Sequence, residues 1–88
     1  MNVEHLVSMA NQIGRFYHAY PNRPEALQSA AMHLRRFWDP RMRLELLRHL
    51  DAAGGEGLDP FMVDAVRAYR GDLTPRGDST PAPKTAPA

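Results

Sequence analysis

Eleven residues, HLRRFWDPRMR from His33 to Arg43, hold the densest chemistry in the chain: four arginines, a phenylalanine, a tryptophan and an Asp-Pro corner. A guanidinium is a permanent cation with a planar fork of donors, suited to carboxylates, phosphates and carbonyl oxygens, and it stacks on aromatic rings. Such a cluster can grip nucleic acid, line an active site or be read by another protein. Between His33 and His49, five arginines (Arg35, Arg36, Arg41, Arg43 and Arg48) stand against Asp39 and Glu45, so this segment carries +3 and the remainder −2.

The usual catalytic groups are thinner. His5, His18, His33 and His49 show no i, i+4 pair that would set two metal ligands on one helical face, and only Glu45 with His49 has that spacing. A solvated pair on a helix surface accounts for it. Ser8, Ser29 and Ser79 lack a nucleophile motif, and Gly54, Gly55 and Gly57 lack the lysine and following helix of a phosphate loop. No catalytic, metal-binding or cofactor-binding residue is assigned, and turnover by this chain alone is not expected.

Eighty-eight residues bound the fold to one small domain. The absence of cysteine excludes disulfides and thiolate or iron-sulfur ligation by this chain. The N-terminus shows no basic segment leading into an apolar run, and no stretch nears the about 18 apolar residues of a membrane span, so a cytoplasmic protein is expected. A net charge of only +1 argues against a surface built throughout for phosphate. Lys84 is the only lysine beside ten arginines, a bias typical of a GC-rich genome, so part of the arginine signal is mutational background.

The elements that must position the arginine cluster are marked by caps and prolines. Asn2 can cap a helix over about 2–19 that stops at Tyr20-Pro21. Asn22, with Pro24 and Glu25, fits a capping box opening a helix over 23–37. Asp39-Pro40 repeats an acidic cap before 40–53, which Gly54-Gly55 close. Asp59-Pro60 opens 59–70, with Leu58 and Val63 placed as a hydrophobic staple and Gly71 as its end. The fold class expected is therefore all-α, a small bundle of about four helices over residues 1–70. Residues 71–88 hold four of the eight prolines and a single sizeable apolar side chain, Leu73, and read as a disordered tail. Within it, Arg76-Gly77-Asp78 matches the integrin tripeptide, too short a match to carry weight.

Helical periodicity then sorts the faces. In the second helix Ala26, Leu27, Ala30, Ala31, Leu34, Phe37 and Trp38 share one apolar arc, with Met32 stranded on the other side among arginines. In the third, Met42, Leu46, Leu47 and Leu50 form the arc, yet Arg43 falls in its middle and Leu44 outside it. The first helix is apolar over about half its circumference, from Val3 through Met9 and Phe16 to Tyr20, wider than so small a bundle needs. Gly14 there is expected to admit a close neighbour, intramolecular or from a partner. A wide apolar face on a marginal domain points to stability shared with a partner.

Trp38 and Arg43 occupy N′ and N4 around the Asp39 cap, the positions a hydrophobic staple would join, so the guanidinium is expected to stack on the indole and present its edge outward. Trp38 itself is expected to be a core anchor rather than a stacking platform. The outline of two helices joined by an arginine-bearing corner also resembles a helix-turn-helix, which keeps a nucleic-acid-binding module as the alternative, although Glu45 can pair with Arg41 and Arg48.

Three strings, LVSMANQIGRFYHAYP (Leu6 to Pro21), HLRRFWDPRMR and LLRHLDAAGGEGLDPFMVDAV (Leu46 to Val66), resemble the delta subunit of NAD-dependent formate dehydrogenases, soluble multisubunit enzymes containing molybdenum or tungsten. The resemblance spans about residues 3 to 70. It implies a non-catalytic accessory subunit of a complex whose other subunits carry bis-molybdopterin guanine dinucleotide, iron-sulfur clusters and flavin mononucleotide. The partner implied is the large alpha subunit and, through it, beta and gamma; the role implied is assembly, stability or molybdenum-cofactor insertion. No catalytic residue carries over, because the family assigns none to this subunit.

On that resemblance the corner becomes a protein-docking surface, its residues Met32, Arg35, Arg36, Phe37, Trp38, Asp39, Pro40, Arg41 and Arg43. The arginines would meet acidic or carbonyl groups of the large subunit, or phosphates of the dinucleotide cofactor during its delivery. Met9 and Phe16, at the edge of the wide first-helix face, form the second docking candidate.

Overall fold

The computed structural model describes residues 2–75, and the regular structure among them is helical: α1 (Val3–His18), α2 (Arg23–Phe37), α3 (Pro40–Ala53), α4 (Pro60–Ala68) and a short α5 (Arg70–Leu73). Three of the expected caps form. Asn2 Oδ1 accepts from the backbone of Glu4 at 2.8 Å and of His5 at 3.3 Å, Asn22 Oδ1 from Glu25 at 2.9 Å, and Asp39 Oδ1 from Met42 at 2.9 Å. Each satisfies amides that the first helical turn leaves without an intrahelical acceptor. Gly54 ends α3 at φ 66, the left-handed conformation that side chains with a Cβ resist.

The fourth start is built differently. Asp59 makes no side-chain cap; its backbone N–H instead donates to Asn11 Oδ1 on α1 at 2.8 Å, while Asn11 Nδ2 donates to the Gly57 carbonyl at 3.0 Å. One amide side chain thus clamps both ends of the turn into α4. The two staple residues both lie over that turn: a Cβ placed on Gly55 would lie 3.3 Å from Val63 Cγ2 and 3.7 Å from Leu58 Cδ2.

The second helix is central, packing against α1 and α4, while α1 also reaches α3 and α4. Its row of small residues, Ala26, Ala30 and Ala31, is almost wholly buried and lets the neighbouring helices approach closely. Leu6, Leu34, Leu46, Met62 and Val66 supply the bulk of the centre. The neighbour of Gly14 is intramolecular: a Cβ there would fall 2.6 Å from Met62 Cγ on α4, inside van der Waals contact.

Two expectations are corrected at the C-terminal end. The fourth helix closes at Ala68 rather than at residue 70, and Gly71 does not stop the chain but lies inside α5. That short helix lies against α2, α3 and α4 and inserts Leu73 into the core at 2% exposure. Leu73 was read as too isolated to order its surroundings; it needs no apolar neighbours in sequence because the bundle supplies them. Residues 71–75 therefore belong to the helical body, and the rest of the expected tail, 76–88 with Arg76-Gly77-Asp78, lies outside the described residues.

Candidate protein-docking surface

The Asp-Pro corner between α2 and α3 separates two aromatic neighbours. After Phe37 the chain leaves the helix at Trp38 (φ −89, ψ 137), held by the Trp38 N–H donating to the Leu34 carbonyl at 2.9 Å. That step turns the indole into the core, where it is 5% exposed, as expected of an anchor. Phe37, placed by periodicity on the same core arc, is instead 70% exposed. It lies at the edge of that arc on the last turn, and Trp38 takes the place it would have filled.

The expected stack of Arg43 on Trp38 is not formed. Among the described residues the cation–π contact is Arg23 over Phe61, 5.6 Å from the ring centroid. An indole sunk in the core offers no outward face for a guanidinium to cover. Arg43 is half-buried on the core side of α3, and its Nε is shut away from solvent without a hydrogen-bond acceptor. An unsatisfied buried donor costs about 1–3 kcal/mol, so the third-helix arc tolerates Arg43 rather than being built around it.

The other arginines divide by their partners. Arg35 donates from Nε to the Asp72 carbonyl at 3.2 Å and ties α2 to α5, while Arg23 pairs with Asp64 and Arg70 with Asp51. Arg36, Arg41 and Arg48 are exposed and make no ion pair among the described residues, and the expected Glu45 pairings do not form. Asp39 is occupied with its cap, and Pro40 is exposed in the first turn of α3. The Glu45–His49 pairing is absent too: His49 Nε2 lies 2.7 Å from the Glu56 carbonyl and donates to it, bracing the glycine turn. No group of three or more His, Asp or Glu side chains able to hold a metal ion occurs among the described residues.

The largest exposed aromatic surface lies where α1 runs beside α2. Phe16 is 63% exposed and Tyr20 38%, so the broad first-helix face is only partly consumed by the core. Phe16 meets Tyr17 edge-on at 4.9 Å, Tyr17 meets Tyr20 at 5.3 Å and His33 at 6.0 Å, and His33 meets Phe37 at 4.7 Å. The Tyr17 hydroxyl lies 3.5 Å from His33 Nδ1. Between the helices opens an apolar groove of about 430 Å³ lined by Gln12, Ile13, Phe16, Tyr17 and His33. Met9 is half-buried against the core beside this surface, and Met32 is half-exposed on α2.

Of the residues singled out in sequence, the structure joins Phe16 and Phe37 through the ring chain between them, and holds Trp38 and Arg35 in intramolecular roles. Gln12, Ile13, Tyr17, Tyr20 and His33 were not assigned to a site. The excess width of the first-helix face was the signal that could have found them.

A small all-α body that leaves an aromatic groove and a corner bearing Arg36 and Arg41 exposed presents the kind of surface that partner proteins read. The family model described as NADH-dependent formate dehydrogenase delta subunit, FdsD, matches residues 5–66, and the chain belongs to that family. No curated protein and no solved structure matches it.

Proposed function

We propose that the chain is a non-catalytic accessory subunit of an NAD-dependent formate dehydrogenase, which binds the large alpha subunit and through it the beta and gamma subunits. Its role there is to support assembly, stability or molybdenum-cofactor insertion, in the cytoplasm. Membership of the delta-subunit family over residues 5–66 is the observation that carries this reading. Exposed Phe16 and Phe37 support it, since large aromatic side chains left uncovered are enriched at the centres of binding interfaces. No described helix is long and apolar enough to cross a membrane.

The docking surface proposed is the corner of Met32, Arg35, Arg36, Phe37, Trp38, Asp39, Pro40, Arg41 and Arg43, with Met9 and Phe16 on α1. Within it the side chains divide the work. Trp38, Asp39 and Arg35 hold the corner's shape, while Phe37, Arg36 and Arg41 meet the partner. Purification of the tagged chain from its own cytoplasm tests the reading: large iron-sulfur and flavin subunits should co-purify with formate-dependent NAD reduction. Recovery of the chain without them overturns it.

Arg36, Arg41 and Arg48, exposed and without an ion pair among the described residues, favour a second reading, a nucleic-acid-binding module. It requires an affinity for DNA or RNA that falls steeply with salt.

A further inference from the structure

The α1–α2 groove has a length, a wall chemistry and a charged border, and together these specify what fits it. Its lining is apolar and aromatic, and Phe37 extends it along α2 through its contact with His33 at 4.7 Å. From Gln12 to Tyr17, the α1 residues that line it, the helix rises about 7.5 Å at 1.5 Å per residue, and Phe37 on α2 lengthens the surface beyond that. A helix with apolar side chains at i, i+4 and i+7 spreads its anchors over about 10 Å by the same rise. An extended strand would reach as far, but it binds through backbone hydrogen bonds to a sheet edge, and both walls here are helices whose backbone groups bond internally.

The border is charged unevenly. Arg36 lies one turn beyond His33 and next to Phe37, exposed and without an ion pair among the described residues. Arg41, just past the corner, is in the same state, as is Arg15 beside Phe16 on α1. The acid on the α2 side, Glu25, stands in the first turn of that helix, about 16 Å of helical rise from Arg36. Arg36 and Arg41 make the Phe37 end net cationic, the carboxylate at the corner, Asp39, being engaged through Oδ1 as the cap of α3.

Resting on the accessory-subunit reading, we infer that the groove takes an amphipathic helix of a partner subunit. That helix is apolar at i, i+4 and i+7 and carries carboxylates at the end that meets Arg36 and Arg41. The aromatic walls supply affinity, and the arginines set the direction in which the helix lies.

The test is co-expression of the tagged full chain with the alpha, beta and gamma subunits, comparing wild type with Phe16→Asp, Phe37→Asp, Arg36→Glu and the control Arg67→Glu on the outer side of α4. Circular dichroism confirms that each variant keeps its helices. Wild type and control should retain the complex, and each aspartate variant should weaken it about 30-fold or more, the scale of a hot-spot side chain. Arg36→Glu should weaken it less and flatten its dependence on salt. A photo-crosslinker at position 16 or 37 should capture an acidic amphipathic segment of a partner subunit. If wild type captures the other subunits and the aspartate variants capture them equally well, the groove inference falls while the accessory-subunit reading stands. If wild type captures none of them, both fall. Crosslinking to a second copy of the chain, to a proline-rich segment or to nucleic acid overturns the assigned occupant.

Discussion

Phe37 and Trp38 are consecutive aromatic residues, one 70% exposed and the other 5%, and they belong to two surfaces of opposite kind. Trp38 belongs to the core that also takes in Leu34 of α2, Leu46 of α3 and Leu73 of α5, all nearly fully buried. Phe37 ends a ring chain that runs through His33 and Tyr17 to Phe16 and covers nothing internal. Apolar area removed from water stabilises a fold at roughly 25 cal/mol per Å². The same area left in water stabilises nothing until a partner covers it. One residue of chain separates the side of the molecule that makes it fold from the side available for binding.

The sharpest way to break that contrast is to truncate both rings. Trp38→Ala should lower stability by about 3–5 kcal/mol, comparable to the whole stability of a bundle this size, and urea titration followed by circular dichroism should find it largely unfolded. Phe37→Ala should stay within about 0.5 kcal/mol of wild type. Equal losses in the two variants would erase the distinction. Leu73→Ala tests how far the core side extends: a loss of about 2–3 kcal/mol in the same titration would place α5 inside the cooperative unit. No loss would return the boundary to residue 70.

Smaller effects sharpen the comparison. Asn11→Ala removes both bonds that clamp the turn into α4 and should cost about 1–2 kcal/mol, with faster amide hydrogen exchange at Asp59. A loss confined to exchange, without global destabilisation, would show the turn to be an independent element. Arg43→Met should have the smallest effect and the opposite sign, a gain of up to about 1 kcal/mol in thermal unfolding, because it removes a buried donor that has no acceptor. A net loss would mean that the Arg43 guanidinium contributes to the fold through its exposed edge.

Much of the architecture could be read from local chemistry. Asn2, Asn22 and Asp39 cap as their types and positions require, because a short acceptor side chain meets the free amides of a first turn without help from elsewhere. The Gly54 turn follows the same logic, since a left-handed backbone selects glycine. The wide first-helix face also showed that α1 carries more apolar surface than a small core consumes. The site was less accessible. Periodicity put Phe37 and Trp38 on one arc, which assumes that helix geometry continues past residue 37, where the chain turns extended; the staple spacing put Arg43 against Trp38, whose indole the core instead takes in.

What the sequence determined by itself was the set of helices, their caps and turns and the presence of surplus apolar surface, all properties of residues within about four positions of one another. Tertiary structure alone decided that Gly14 faces Met62, that Asn11 holds a turn 46 residues away, that Leu73 closes the core and that Phe16 and Phe37 share one open surface. Burial depends on which helix lies opposite. That choice is made by the summed packing of all five helices, not by the pattern along any one of them.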